Sequence, residues 1–584
     1  MAQLPLTNII TVSVSAANPG VGSYNTSNLA LFTDDAPAGS VETLSFSGVA
    51  ASGAFKITLG SLTTASLVFG STAVQIQAAI NALAGFTQVV VSGSIASQLL
   101  TLTIPGGFGS LPLAVISANT LQTAGAAPIT VTPAITASGW SGDGLGYAAY
   151  LTPTQVGLDF GSSSKTYQMA NAVFAQQPNI LAGGGQLIII LLQTSVQTLT
   201  LSAIPTAGTF TLTYNSNSTT ALAATATPAQ IQAALQLVPG LSQVVVTGGT
   251  PGQLLTFYMF GVYSGALALS GTFTSLTPAT TGTFAIPTVG ETIGAAITRT
   301  VGLVQYFGIL VNESVGTSQV IPAADVTAAA AIVLPLIKMI FFVTNSSTDL
   351  AAVSGLVALI TTGSFANTRM LYYGDTTALG VGAQNAMVMS AAYAGLALSV
   401  NFNGSNTTTT MHLKVLGGVN PDPSMTQAIL NLAVAVGADS YVSLQGVSSV
   451  FTSGANQFFD QIYNQLWFVG ALQVAGFNYL AQTGTKIPQT EEGMTGLKGA
   501  YRTVCEQAVT NQYCAAGSWT SAVSFGNQAQ LLANVAQRGY YIYSSPVASQ
   551  LQAARVARQA PLVQIALKQA GAIQSSSLIV NINP

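Results

Sequence analysis

Two stretches of this chain are copies of each other. Residues 53–101 and 208–256 align without a gap at a constant offset of 155. GAFKITL (53–59) matches GTFTLTY (208–214), IQAAINALAGFTQVVVSG (76–93) matches IQAALQLVPGLSQVVVTG (231–248), and QLLT recurs at 98–101 and 253–256. Such a repeat means that one small fold is used twice. Each copy predicts strand, turn, short helix, strand, turn, strand. Ile76, Ala79, Ile80 and Leu83 fall at helical spacing. The helix ends at Gly85, and Pro239-Gly240 ends its counterpart. TQVVVSG alternates as a strand closed by Gly93. Lys56 is the one basic residue in either copy, which argues against a catalytic or nucleic-acid-binding domain. The expectation is two outward-facing, decorating β-rich domains, at 41–138 and 198–288. The alternative is a single continuous sandwich containing both.

Removing these copies leaves 1–40, 139–197 and 289–584. The last of these alternates strand and helix signals: strand FGILVN (307–312), helix 322–337, strand MIFFVTN (339–345), helix 346–360 opened by a Ser/Thr/Asp cap, strand TRMLYYG (368–374), helix 383–398. That order predicts a βαβ-type sheet with helices on its faces. Helix 424–436, strand DSYVSLQG (439–446) and long helices within 456–482 and 488–512 follow, and then a helix from about 547 to 571. The fold class is therefore α/β (α+β) and multidomain. It divides into an arm and start of core (1–40), the first β-rich copy, a core segment (139–197), the second copy, an α/β core (289–423), a C-terminal core (424–574) and a terminal strand (575–584).

Only 5 % of the 584 residues are charged, 13 Lys and Arg against 16 Asp and Glu, where a soluble domain carries roughly 25 %. Mean hydropathy is +0.53. A membrane span needs about 20 consecutive apolar residues; LIIILL (187–192) is too short, TAAAAIVLPLIKMIFFV (327–343) contains Pro335 and Lys338, and 383–400 is interrupted by Gln384, Asn385, Ser390 and Ser399. No membrane insertion is expected, and no signal peptide is visible at the N-terminus. Disorder would need low hydrophobicity and high net charge. Buried parallel strands explain the apolar runs instead. A net charge of −3 gives little self-repulsion and favours association with further copies. With a pI near 5.1 and no basic stripe, nucleic acid is not an expected partner.

Enzyme signatures are missing. The single histidine, His412 in TTTTMHLKVLGG, reads as a strand side chain. No G-x-S-x-G elbow, Walker motif or dinucleotide fingerprint occurs. Two cysteines and one histidine cannot build a zinc cage, so neither metal nor cofactor is expected. The adjacent carboxylates Asp34-Asp35 and Glu491-Glu492 read as helix caps. Cys505 and Cys514 would lie roughly 13 Å apart on one continuous helix, so an intrachain bridge requires that helix to break between them. With no secretory signal visible, both read as free thiols, an intermolecular bridge in an assembled particle being the other option.

The two ends differ from everything between them. Ile10, Val12 and Val14 alternate with Thr11, Ser13 and Ser15 near the start, and Leu578, Val580 and Ile582 alternate at the end. Tethered strands of this kind can complete a sheet in a neighbouring molecule through main-chain hydrogen bonds, or pair within their own subunit.

The repeated segments resemble a small β-rich module that recurs in phage structural proteins. The remainder resembles the contractile phage tail sheath proteins. MHLKVLGGVNPDPSMTQAIL (411–430) followed by GADSYVSL, the ending RVARQAPLVQIALKQAGAIQSSSLIVNI (555–582), and the opening LPLTNIITVSVS carry the likeness by their order along the chain. One departure is NQYCAAGSW (511–519), where a Gly is expected after the Asn. The resemblance implies a helical homo-oligomer of stacked six-subunit rings around a tail tube, and further partners in baseplate and tail terminator proteins. It implies arm strands shared between neighbours, contraction without a nucleotide, and a virion tail assembled in the host cytoplasm. Two other readings stand beside it: a surface-layer or adhesin-type self-assembling protein, suggested by the Thr/Ser/Gly-rich strands, and a polysaccharide-acting enzyme of the tail.

Charge placement adds an expectation. Residues 486–584 hold seven basic residues against three acids, +4 in that segment and −7 in the rest. Arg555, Arg558 and Lys568, expected on one C-terminal helix, are candidates to face an acidic tail tube.

Overall fold

The structure, a computed structural model, describes residues 25–248, 254–265, 268–313, 315, 321–375 and 381–579. It falls into two units, one formed by Ser27–Ser399 with Leu413–Asn456, the other by the N-terminal residues to Thr26, Val400–His412 and Gln457–Pro584.

In the first unit an eight-stranded sheet runs in the order Tyr147–Tyr150, Leu187–Leu191, Leu29–Thr33, Gly308–Val311, Met339–Thr344, Thr368–Tyr372, Ala438–Leu444, Val447–Phe451. The inner six strands are parallel and the two edge strands antiparallel. Leu29–Thr33, Leu187–Leu191 and Met339–Thr344 are buried at every position, as strands covered on both faces must be. Ala30, Phe32, Ile188, Ile190, Ile309 and Ile340 face one core with the helices Ile293–Thr300, Ala323–Val333, Leu356–Thr362 and Gln427–Val436. Val381–Ala397 and Lys165–Phe174 pack together, and Tyr393 of the former meets Phe341 at 6.0 Å. The apolar run 327–343 is thus a helix end and a strand. Its Lys338 is buried, donating to the Tyr306 carbonyl with its ammonium over the Tyr306 ring, and burial lowers it to about 8. No helix among the described residues is long and apolar enough to cross a membrane.

One expected helix is broken. Instead of 346–360 there is a 3₁₀ turn, Ser347–Leu350, and then Leu356–Thr362. Thr344 Oγ1 donates to Asp349 Oδ2 (2.6 Å), and the Ser346 and Thr348 hydroxyls pair (2.7 Å). These local bonds compete with helix formation. His412 is corrected as well, since it sits in a turn rather than a strand.

Each repeated segment forms a pair of four-stranded sheets around its own core. In the first copy one sheet runs Val90–Ser94, Leu99–Ile104, Ser40–Phe46, Val131–Ser138; in the second it runs Val245–Gly248, Leu255–Tyr258, Val196–Leu201, Gly282–Thr288. Core positions correspond at the offset of the repeat: Phe55 with Phe210, Ile76 with Ile231, Leu102 with Phe257. The helices Ala73–Asn81 and Pro228–Gln236 open with the same capping box, Thr72/Gln75 and Thr227/Gln230. Gln77 and Gln232 reach from these helices to accept from the outward N–H groups of Val91 and Val246 (both 3.0 Å) on the edge strands. That occupies an edge that would otherwise invite pairing. A cleft of about 690 Å³ lies between the copies, lined from both sides by equivalent residues, among them Gln77 and Gln232, Val90 and Val245. The copies therefore face each other through one and the same surface.

In the second unit, Phe459–Gln482 and Glu491–Thr510 form a helical hairpin. Segment 400–412 is bound to it: Phe402 stacks on Trp467 at 4.4 Å, and Asn511 Nδ2 and Gln507 Nε2 donate to the Phe402 carbonyl (2.5 and 2.7 Å). Asn527 caps Gln528–Arg538, and a two-stranded ribbon, Tyr540–Ser544 with Val563–Leu567, follows. Cys505 and Cys514 are free and buried, the helix ending at Thr510 between them. Burial pushes their thiols up, to about 12 and about 11.

Candidate assembly surfaces

The C-terminal stretch departs most from expectation. In place of a helix over 547–571 there is a short 3₁₀ turn, Val547–Ser549, a five-residue helix, Gln552–Val556, and the strand Val563–Leu567. Pro561 cannot continue a helix, and the alternating VQIAL pairs instead with YYIYS, Ile565 opposite Ile542. Arg558 stands at φ 55, outside helical geometry.

Arg555 and Arg558 therefore project from one turn, and Lys568 lies elsewhere, at the end of the strand. Its N–H donates to the Gly539 carbonyl (2.7 Å) and its ammonium to the Gln569 carbonyl (3.1 Å). It lines a cavity of about 360 Å³ with Asp460, Asn464 and Tyr513. The three cations do not share a helix face.

The arginine turn carries a second feature that charge counting missed. Leu551, Val556 and Leu562 are 79 %, 72 % and 72 % exposed, and 551–562 contains no acid. Gln489 Nε2 and Gln550 Nε2 both donate to the Gln559 carbonyl (2.9 and 2.6 Å), and Glu491 accepts from Val547 N–H (2.7 Å). The loop is thus held in shape while its large apolar side chains face solvent. Burying each would be worth about 1.5–3 kcal/mol. The signal in the sequence was the apolar content of the segment, which the expectation of one continuous helix over 547–571 left unused.

Beyond the ribbon, Ala570 N–H donates to the Tyr513 carbonyl (2.9 Å) and Gln574 Nε2 to Thr410 Oγ1 (3.2 Å). Ile573, Leu578 and Ile579 are exposed, and no strand is formed between 571 and 579. Among the described residues, Leu578 thus has no sheet partner. Val580 and Ile582, and at the other end Ile10, Val12 and Val14, lie outside the described residues.

Residues 459–582 match the family model described as "E217 tail sheath protein gp31-like, C-terminal domain". The match begins with the helical hairpin and takes in the ribbon, the arginine turn and the terminal stretch. Among solved structures, a chain described as Mycobacterium phage Patience is 19 % identical over 18 % of this chain and 43 % of its own length, with a TM-score of 0.13. This chain thus spans less than half of that neighbour. No curated protein matches. Over residues 459–582, the chain is similar to the C-terminal domain of a phage tail sheath protein.

Proposed function

We propose that this chain is the structural subunit of a contractile phage tail sheath, a helical homo-oligomer of stacked six-subunit rings around a tail tube. The observation that carries this reading is the match of 459–582 to a tail sheath C-terminal domain. The exposed stretch 571–579, which forms no strand among the described residues, supports it, as does the sparse charge of the chain. In this reading the terminal segments, with Ile10, Val12 and Val14 at one end and Leu578, Val580 and Ile582 at the other, add strands to neighbouring subunits. Contraction is a rotation and repacking of subunits between two packings while those strands stay joined. It drives the tube through the host envelope and needs no nucleotide. Arg555 and Arg558, flanked by Leu551, Val556 and Leu562, face the tube through screened contacts that can release. Baseplate and tail terminator proteins bound the assembly, which forms in the host cytoplasm, and the repeated modules decorate it.

Negative-stain electron microscopy of the concentrated full chain tests this. Striated tubes of stacked rings are expected, and deletion of 575–584 should abolish them while the subunit stays folded. Flat lattices would instead establish the surface-layer reading. Arg555→Glu with Arg558→Glu should prevent assembly on tail tubes; normal sheathed tubes would remove the tube-facing role.

A further inference from the structure

In a chain this poor in charge, one buried cluster stands out. Asp34 and Asp35 follow the strand Leu29–Thr33, Glu313 follows Gly308–Val311, and Lys165 opens the helix Lys165–Phe174. Asp34, Asp35 and Glu313 are 5 %, 0 % and 4 % exposed. They sit at the carboxyl ends of parallel strands, where crevices form in open α/β sheets. Lys165 pairs with Glu313. Asp35 Oδ2 accepts from the N–H and hydroxyl of Thr166 (2.8 and 2.6 Å) in the first turn of the helix Lys165–Phe174, whose N-cap is Ser164.

The same cluster fastens the second repeated module to the sheet. Gln243 Nε2 donates to Asp35 Oδ1 (2.6 Å), Gln243 Oε1 accepts from Ala36 N–H (2.7 Å), and Gly261 N–H donates to the Asp34 carbonyl (2.8 Å). Asp34 Oδ1 accepts from Asn312 (2.9 Å), while its Oδ2 is buried without a hydrogen bond among the described residues. From the other elements packed here come Tyr263, which carries the module side, and Asp325 of Ala323–Val333, to which the Tyr263 hydroxyl donates (3.1 Å).

Three carboxylates against one ammonium leave net negative charge out of water, and an uncompensated buried charge is costly. Among the described residues no group of carboxylates, thiols or imidazole is arranged to hold a metal ion. A proton is the counter-charge that fits. We propose that Asp34, Asp35, Lys165 and Glu313 form a proton-controlled latch between the central sheet and the second module, closed while the cluster holds a proton and weakened when it loses it. The proposal does not rest on the sheath reading.

Burial and then the Asp34 charge push the Glu313 carboxyl up to about 8, against the pull of Lys165; burial raises Asp34 too. A carboxyl raised on closing contributes stability that is complete below its ordinary value of 4.5 and is lost as pH rises through about 8. One proton changes the opening equilibrium by at most about tenfold per pH unit in that window.

Hydrogen exchange of the full chain at pH 6 and pH 8, corrected for intrinsic rates, reads this at the amides of Ala36 and Gly261, which bridge the junction. Exchange there should rise about tenfold or more, with the strand Ala438–Leu444 unchanged, and Glu313→Gln should remove the rise. No rise at Ala36 and Gly261, or a rise of equal size in Glu313→Gln, would overturn the latch. Should Glu313→Gln not fold, Asp34→Asn must at least halve the rise; an undiminished rise there overturns it equally.

Discussion

The two repeated modules share a topology, a capping box and a core, and differ at a few positions where physics can be read almost as in a designed experiment. The clearest is the buried side chain on the first strand. In the second module Gln197 is buried and its Oε1 accepts from Leu269 N–H (2.8 Å). At the equivalent place in the first, Glu42 does the same for Ala114 N–H (2.7 Å), but its Oε2 is buried with no hydrogen-bond partner among the described residues. An amide satisfies this site and a carboxylate does not. Tests of the comparison run from what the copies share to what separates them.

The largest effect should come from a shared feature. Gly53 and Gly208 stand at φ 94 and 97, and a Cβ on either would lie 2.1 or 1.9 Å from the carbonyl oxygen of Thr120 or Ser275. Gly53→Ala and Gly208→Ala should each destabilise their own module by more than about 3 kcal/mol, since the connecting backbone at Thr120 or Ser275 would have to move. Protection from exchange within the affected module is the measurement, because a multidomain chain has no single unfolding free energy. Loss in only one copy would show that the modules are less alike than their backbones.

Next is the difference itself. Burial raises the Glu42 carboxyl, so its contribution is complete at low pH and declines as pH rises through its folded value. Glu42→Gln should stabilise the first module by about 1–3 kcal/mol near neutral pH and flatten its pH dependence, while Gln197→Glu should transfer both faults to the second. Exchange within each module from pH 5 to 8 decides. A smaller shared effect follows from the caps: Thr72→Ala and Thr227→Ala should each cost about 1 kcal/mol, equal in both modules when read the same way.

This comparison also shows what the sequence made legible. The modules were visible because strand alternation and a capped amphipathic helix fix side chains at constant spacing, and because the pattern occurs twice. The strands Gly308–Val311, Met339–Thr344 and Thr368–Tyr372 were visible as apolar runs, whereas Leu29–Thr33 was not singled out and nothing local told the order in the sheet. The stretch 547–571 misled because apolar residues at mixed spacing fit helix and strand alike, and Pro561 settled the matter only with Tyr540–Ser544 as a partner. The cluster around Asp34 was beyond reach, since it joins residues from a strand end, a helix and a second module. One departure from the sheath pattern proves instructive: Gln512, where a Gly was expected after Asn511, has φ 63. The turn keeps its left-handed residue even without the glycine.

Left-handed residues supply the finest distinction between the modules. The hairpin linking Ala54–Leu59 to Leu62–Thr63 turns through Gly60 and Ser61, and only Gly60 has positive φ, 62. Its counterpart turns through Asn215 and Ser216, both positive at 47 and 64. The first pattern is that of a turn led by glycine, the second that of a type I′ turn, for which Asn-Gly is the favoured pair. A serine held left-handed costs about 1–2 kcal/mol, and glycine gives back about half of that through its freer unfolded chain. Ser216→Gly should therefore stabilise the second module by a few tenths of a kcal/mol to about 1, whereas Ser61→Gly, at a residue already in an ordinary region, should weaken the first. Opposite signs in exchange protection for the same substitution at equivalent positions would show that the copies solved one turn in two ways; equal signs would mean the two hairpins share one turn type in solution.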